Sequence, residues 1–170
     1  MIVRHKVLGA GFIRGVGAST IPGAVHYWGV HSFPATTAKG HTRFIKFKVV
    51  PVGPEITLTE GEAKAKPADF LQRDLEQRIA DGGIKFDLLA LLDRPGDPTL
   101  DATVRWPDED SRESVRLGTI TITAIEKNDP CDQSIFNPSN LAEGIGRPLD
   151  EIFAARSPAY AISLGRRRSD

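Results

Sequence analysis

The most constraining feature of the sequence is the regular alternation of side-chain character in two segments of strand length. Residues 116–125 (RLGTITITAI) alternate threonine with isoleucine. In residues 43–50 (RFIKFKVV), Lys46 and Lys48 share a face with Phe44, while the apolar residues between them share the other. A period of two is the repeat of a β-strand, whose successive side chains point to opposite faces of a sheet. Both segments are therefore predicted to be strands.

Two further strands are indicated by residue type and by turn residues. Residues 26–33 (HYWGVHSF) are rich in aromatic and β-branched side chains, and Lys39-Gly40 supplies a turn before residues 43–50. These two segments are therefore predicted to form an antiparallel hairpin. Residues 84–92 (IKFDLLALL) are compatible with a strand or a buried helix by periodicity, and we predict a strand.

Three helices are predicted from caps and apolar spacing. Thr59 and Glu62 have the spacing of a capping box, and Pro67 suits the first position of a second helix. The second helix carries an apolar stripe of Leu71, Leu75 and Ile79. It ends at Gly82-Gly83, and a third helix begins within residues 148–155 (PLDEIFAA). Antiparallel strands with helices packed to one side make the predicted fold class α+β.

Composition narrows the classes of function. The chain of 170 residues has 22 Lys and Arg against 22 Asp and Glu, so it has no surplus of positive charge for binding nucleic acid. No stretch approaches the ~18 apolar residues of a membrane span. Residues 1–8 lack the apolar core of a secretion signal, and the single cysteine, Cys131, cannot form an internal disulfide. We therefore predict a cytoplasmic protein with no nucleic-acid partner and no membrane span.

The glycine-rich start is predicted to be a flexible leader over residues 1–23, followed by one domain over residues 24–170. Residues 7–14 (VLGAGFIR) are similar to a dinucleotide-binding fingerprint, but Arg14 stands where the third glycine is needed. The glycines and Pro22 that follow are unsuited to the helix whose N-terminus would hold a pyrophosphate. A leader is therefore the preferred interpretation.

One pair of residues near the C-terminus could form a ligand-binding site. Arg156 and Tyr160 are four residues apart, so on a helix both side chains project from the same face. A guanidinium beside a phenol stabilises the phenolate, which is a ligand for haem iron. An arginine stacked on a structural tyrosine is the alternative explanation of the same spacing. By contrast, His26 and His31 lie on opposite faces of a predicted strand and are interpreted as exposed or hydrogen-bonded strand histidines.

An ordered series of landmarks resembles the C-terminal half of the haem catalase core, especially that of the short catalase-like peroxidases. The similarity covers residues 24–168. Its landmarks are residues 27–33 (YWGVHSF), 39–44 (KGHTRF), 97–99 (DPT), 106–107 (WP), 117–118 (LG), 136–140 (FNPSN), 144–145 (GI) and the Arg156-x-x-x-Tyr160 motif. Their order along the chain is more specific than any single landmark.

The resemblance implies part of an antiparallel β-barrel, about four strands in this chain, with flanking helices and a buried haem b. It implies that Tyr160 is the proximal axial ligand of the haem iron and that Arg156 is its charge partner. By the same resemblance, Phe136 and Ile152 line the proximal face of the haem, and Arg167 reaches a propionate. Pro158 lies between the two main residues and predicts a kink that moves Tyr160 relative to Arg156.

The resemblance also implies a reaction, the decomposition of hydrogen peroxide or an organic hydroperoxide. The distal histidine that moves a proton between the peroxide oxygens belongs to the N-terminal half of the family core, which we expect this chain to lack. No residue here is therefore predicted to be a distal catalytic residue, and the activity of the chain alone is left open. We expect a homo-oligomer or a second chain to complete the barrel. The alternative is a truncated, non-catalytic remnant, or an interaction or small-ligand-binding module without haem.

Overall fold

The computed structural model describes residues 25–54, 56, 58–126 and 132–168. The predicted leader over residues 1–23 and Cys131 therefore lie outside the described residues. The strands are β1 (Tyr27–Trp28), β2 (Phe33–Thr36), β3 (Thr42–Pro51), β4 (Ile84–Leu92) and β5 (Ser114–Ile122). The helices are α1 (Glu60–Ala65), α2 (Phe70–Ala80) and α3 (Glu151–Arg167).

The strands form one antiparallel sheet. β3 and β4 lie at its centre, β5 forms one edge, and the short strands β1 and β2 both pair with β3 at the other edge. The predicted hairpin turn is present: Gly40 has a φ of +81°, and its amide donates to the carbonyl of Thr37 over 2.9 Å. The prediction of an α+β fold with about four antiparallel strands is confirmed. None of the helices in the described ranges is long and apolar enough to cross a bilayer.

The prediction of one continuous strand over residues 26–33 is wrong. β1 ends at Trp28, the amide of Gly29 donates to the carbonyl of Phe47 over 2.7 Å, and β2 begins only at Phe33. His31 and Ser32, between the two strands, are buried. The His31 ring packs edge-on against Phe153 of α3, with 5.1 Å between ring centroids. The strand is interrupted because His31 is turned towards α3, a tertiary contact that residue propensities do not report.

The two faces of β3 are as the alternation predicts, but the face with lysines is not solvent-exposed. Lys46 is 2% exposed and Lys48 is 7% exposed. The Lys46 ammonium pairs with Glu109 over 2.9 Å and lies 5.1 Å from the centre of the Trp106 ring. Residues 93–113, which join β4 to β5, therefore cover this face of the sheet.

The predicted helices are present with shifted bounds. Thr59 and Glu62 form the predicted capping box at the start of α1. α2 begins at Phe70, three residues after Pro67. It ends before Gly83, where a Cβ would approach the Ile122 carbonyl oxygen to 2.7 Å, so only glycine fits. α3 begins at Glu151, within the predicted residues 148–155, and ends at Arg167.

Candidate functional site

The predicted pair on α3 is brought together. An Nη of Arg156 donates to the hydroxyl of Tyr160 over 2.9 Å, and the guanidinium carbon lies 5.5 Å from the centre of the tyrosine ring. Both side chains are half-buried. The helix continues past Pro158, and the displacement of Tyr160 from Arg156 that a kink predicts is not seen. Pro158 and Ala154, the residue whose carbonyl lacks its usual helical donor, are both exposed, so water can replace that bond.

The network extends beyond Arg156 to two residues that the sequence did not identify as functional. The second Nη of Arg156 lies 3.0 Å from Nε2 of His31, and Nδ1 of His31 lies 2.9 Å from a carboxylate oxygen of Asp150. A guanidinium can only donate, so Nε2 of His31 is the acceptor and Nδ1 carries the proton that it donates to Asp150. The four side chains thus form one line, in the order Asp150, His31, Arg156 and Tyr160.

The half of this line formed by His31 and Asp150 is buried. The side chains of His31 and Asp150 are 5% and 4% exposed. The second carboxylate oxygen of Asp150 accepts from the backbone amide of Phe153 over 2.8 Å, so Asp150 is also the N-cap of α3. Both oxygens of one carboxylate are therefore used, one on the helix and one on the imidazole.

Residues 144–146, which precede α3, pair with β2 and so bring His31 and the start of α3 together. The amide of Thr36 on β2 donates to the carbonyl of Gly144, and the amide of Gly146 donates to the carbonyl of Pro34, each over 2.7 Å. Glycine is required for this approach because a Cβ at Gly146 would lie 2.8 Å from the Pro34 ring. The chain reaches Asp150 four residues later, so this pairing places the carboxylate beside His31.

The arrangement directs a guanidinium donor at the phenol oxygen of Tyr160. Asp150 reaches Arg156 only through the imidazole of His31, so the guanidinium faces the phenol without a carboxylate directly against it. A cation within hydrogen-bonding distance stabilises a phenolate, and a phenolate is a hard oxygen ligand for iron. Among the predicted site residues, Tyr160 is therefore the one whose surroundings suit metal ligation.

The other three predicted residues have different surroundings and take no part in the four-residue hydrogen-bond line. Ile152, in the first turn of α3, is 47% exposed. Phe136 is half-buried in the segment that precedes the helix. The Arg167 guanidinium donates to the Ser163 hydroxyl over 2.7 Å, to the Ser134 carbonyl over 2.9 Å and to the Asp132 carbonyl over 3.3 Å. A contact between Arg167 and a propionate stays a prediction.

His31 and Asp150 were not identified because their relation is tertiary. They are separated by 119 residues, and His31 and Arg156 by 125. The sequence did show that Asp150 stands at a helix start, where a carboxylate is favoured. No spacing rule connects that carboxylate to a histidine that lies 119 residues earlier in the sequence.

Comparisons with known proteins identify the family and agree with the fold. The sequence model of the family described as Catalase matches residues 14–168. A catalase-related peroxidase of Synechococcus elongatus is 34% identical over 143 residues, which cover 83% of this chain and 42% of that protein. A second protein of that name, from Mycolicibacterium paratuberculosis, is 32% identical over 152 residues, covering 86% of this chain and 48% of its own. The chain thus spans less than half the length of these curated relatives.

Solved structures show the same fold at lower sequence identity. Catalase A from Saccharomyces cerevisiae superposes with a TM-score of 0.74 at 20% identity, covering 88% of this chain and 33% of that one. A fungal catalase gives a TM-score of 0.74 at 19% identity, with 88% and 32% coverage. With the family sequence model matching from residue 14 to residue 168, these findings show that the chain belongs to the catalase family.

Proposed function

We propose that this chain forms the part of a haem-containing, catalase-related peroxidase that holds the proximal side of the haem. The assembled protein would decompose hydrogen peroxide or an organic hydroperoxide. Membership of the catalase family and the names of the two peroxidase relatives support the reaction. The division into a leader over residues 1–23 and a core over residues 24–170, and a cytoplasmic location, are part of the same proposal.

The observation that carries the proposal is the 2.9 Å hydrogen bond from Arg156 to the Tyr160 hydroxyl. The residues around it fit a haem b. Tyr160 offers a phenol oxygen, and a tyrosine oxygen is one of the known axial donors to haem iron. Ile152, exposed one turn before Arg156, offers apolar surface of the kind that a porphyrin face covers. Phe136 would line the same side, and Arg167 would bind a propionate.

The chain's own residues would prepare the ligand for its task. Bound haem would supply the iron redox chemistry that acts on the peroxide O–O bond. Arg156 donates to the Tyr160 oxygen, and this donor would be retained when that oxygen binds iron. His31 accepts from Arg156 and fixes the direction of the guanidinium, while Asp150 fixes the tautomer of His31. These residues therefore act together to fix the direction of the donor that faces the Tyr160 oxygen.

The proposal extends to the partner that completes the site. The proton transfers on peroxide need a general acid and base on the opposite side of the haem. We assign that role to no residue of this chain. A second copy, or another chain, would complete the barrel and supply it.

The test uses the two tyrosines of the chain. Haemin is added to the purified protein and to the variants Tyr160→Phe and Tyr27→Phe, and the absorption spectra are compared. Tyr27, on β1, is the matched control because it loses the same hydroxyl outside the Arg156 network. We expect the wild type and Tyr27→Phe to share one spectrum and Tyr160→Phe to lose its phenolate features. Identical spectra for all three proteins would exclude phenolate ligation by Tyr160.

A further inference from the structure

A second structural feature of α3 is the way it holds the segment that precedes it. Residues 132–139 are attached to the helix at two places, one near its C-terminal end and one near its middle. The C-terminal attachment uses Arg167, through the bonds to Asp132 and Ser134, and Arg168, which donates to the Gln133 carbonyl over 3.0 Å. Three successive backbone carbonyls of the segment are therefore bound by two guanidinium groups.

The middle attachment is made by hydroxyl groups. Ser157 donates its hydroxyl proton to the side-chain oxygen of Asn137 over 3.0 Å. The backbone amide of Ser139 donates to the same oxygen over 2.9 Å, which fixes the orientation of the Asn137 amide. The Ser139 and Ser157 hydroxyl oxygens are 2.5 Å apart. Since the proton of Ser157 is already used, Ser139 is the donor of that bond.

The two attachments determine how the segment runs. From Ser157 to Arg167 the helix rises about 15 Å, at ~1.5 Å per residue. Ser134 is bound at the far end of this stretch and Asn137 at the near end, so the segment runs antiparallel to α3. Three residues can span only about 10 Å when extended, and Arg167 makes up the difference by reaching back along the helix to Ser163. The segment passes the turn that carries Tyr160, and Phe136 lies within it.

We infer that Ser157 is a positioning residue. It acts through Asn137 and Ser139, and it holds Phe136 across the turn of α3 that carries Tyr160. Its place in the sequence suits this function, because it directly follows Arg156 and projects from the helix about 60° from the direction of Tyr160 at ~100° per residue. The attachment itself does not depend on haem, whereas its effect on the haem environment rests on the proposed function.

The attachment is tested in the absence of haem. Hydrogen–deuterium exchange with mass spectrometry is measured on peptides covering residues 132–140 in the wild type, Ser157→Ala and Ser157→Thr. Loss of the hydroxyl removes two hydrogen bonds, so we expect exchange in Ser157→Ala to be about fivefold to tenfold faster. Ser157→Thr keeps the hydroxyl and should exchange like the wild type. Ser114→Ala, at an exposed position at the start of β5, is the matched control.

The effect on the cofactor environment is tested with haemin and the same variants. We expect Ser157→Ala to bind haemin with a shifted absorption spectrum and Ser157→Thr to restore the wild-type spectrum. Unchanged exchange in Ser157→Ala would overturn the attachment. Faster exchange with an unchanged haemin spectrum would overturn the positioning role. If the wild type itself shows no phenolate-ligated spectrum, it is the proposed function that fails, and the exchange result still decides the attachment.

Discussion

At the scale of single residues, the site depends on which nitrogen of one buried histidine carries a proton. Arg156 can only donate, so Nε2 of His31 must accept, and Asp150 enforces this by accepting from Nδ1. Because the Asp150 carboxylate can only accept, it determines which atom donates and which accepts in the hydrogen bonds of His31. Two side chains separate the Tyr160 oxygen from the Asp150 carboxylate. The direction of the Arg156 donor nevertheless depends on that carboxylate.

Asp150→Asn is predicted to separate the capping function of this residue from its function on His31. The amide oxygen can still accept from Phe153, and asparagine is a good N-cap, so helix α3 should stay folded. The amide nitrogen, however, would donate to Nδ1 of His31. The proton would then move to Nε2, where it opposes the donors of Arg156. We expect the bond between His31 and Arg156 to be lost.

Nitrogen NMR of the histidine side chains distinguishes the two tautomers. The wild type should show His31 protonated at Nδ1, and Asp150→Asn should show it protonated at Nε2. His26 and His41 serve as internal controls whose signals should not change. An Nδ1-protonated His31 in the variant would refute this account of the network.

Sequence reasoning recovered one half of this site because that half is local. Arg156 and Tyr160 are four residues apart, and helical geometry fixes their separation once the helix is predicted. His31 and Asp150 meet only after residues 144–146 have paired with β2. That pairing requires Gly144 and Gly146, because a Cβ at either position would lie within 3.0 Å of an atom of β2. A single sequence does not report such a close approach.

At the scale of elements, residues 93–113 are held on the sheet by one tryptophan whose ring is contacted by two cations. Trp106 is 1% exposed, with the Lys46 ammonium 5.1 Å and the Arg112 guanidinium 4.8 Å from its ring centre. Its indole donates to the Pro98 carbonyl over 3.0 Å. Arg112 is paired with Asp97, and this hydrogen-bonded pair lowers the pKa of the Asp97 carboxyl. The Arg112 cation at the Trp106 ring is therefore held by the buried carboxylate of Asp97.

Asp97→Asn is predicted to destabilise the protein in a pH-dependent way. Removing one partner leaves a buried guanidinium without its counter-charge, which should lower the free energy of unfolding by about 3 kcal/mol at pH 7. The folded pKa of Asp97 lies below its unfolded value of about 3.9. The stabilisation is thus present above that unfolded value and is lost as pH falls through the folded pKa. The wild type and variant should therefore converge in acid.

Urea denaturation of both proteins from pH 7 to pH 3 measures this difference. Asp69→Asn is the control, because Asp69 pairs with Arg73 on the surface and its loss should cost no more than about 1 kcal/mol. A difference between Asp97→Asn and the wild type that stays constant with pH would contradict the assignment.

Element boundaries were the weakest part of the sequence prediction, and for a physical reason. β4 was predicted with its observed bounds because both of its ends coincide with local signals, Gly82-Gly83 before it and a Pro-Gly loop after it. β5 begins two residues earlier and ends three residues earlier than its Thr/Ile pattern indicates. β5 ends at Ile122 because its partner there, Ile84, is the first residue of β4.

At the scale of the whole molecule, one edge of the sheet presents apolar side chains. β5 pairs with β4 on one side, and within the described residues no strand pairs with its other side. Val115 is 48% exposed and Leu117 is 51% exposed. The register shifts between Leu88 and Leu89, so Leu117 has no cross-strand partner on β4. An edge with these properties favours pairing with another chain, in agreement with the proposed completion of the barrel.

Placing lysines on this edge is predicted to weaken self-association. In the double variant Val115→Lys and Leu117→Lys, two charges would have to be desolvated for another strand to pair with β5. Sedimentation velocity over a range of concentrations should show more monomer than in the wild type. Leu100→Lys is the control, because Leu100 is a 62% exposed apolar residue that belongs to no strand of the sheet. Equal association of the double variant and the wild type would show that another surface makes the contact, and the site would then have to be completed from a different side.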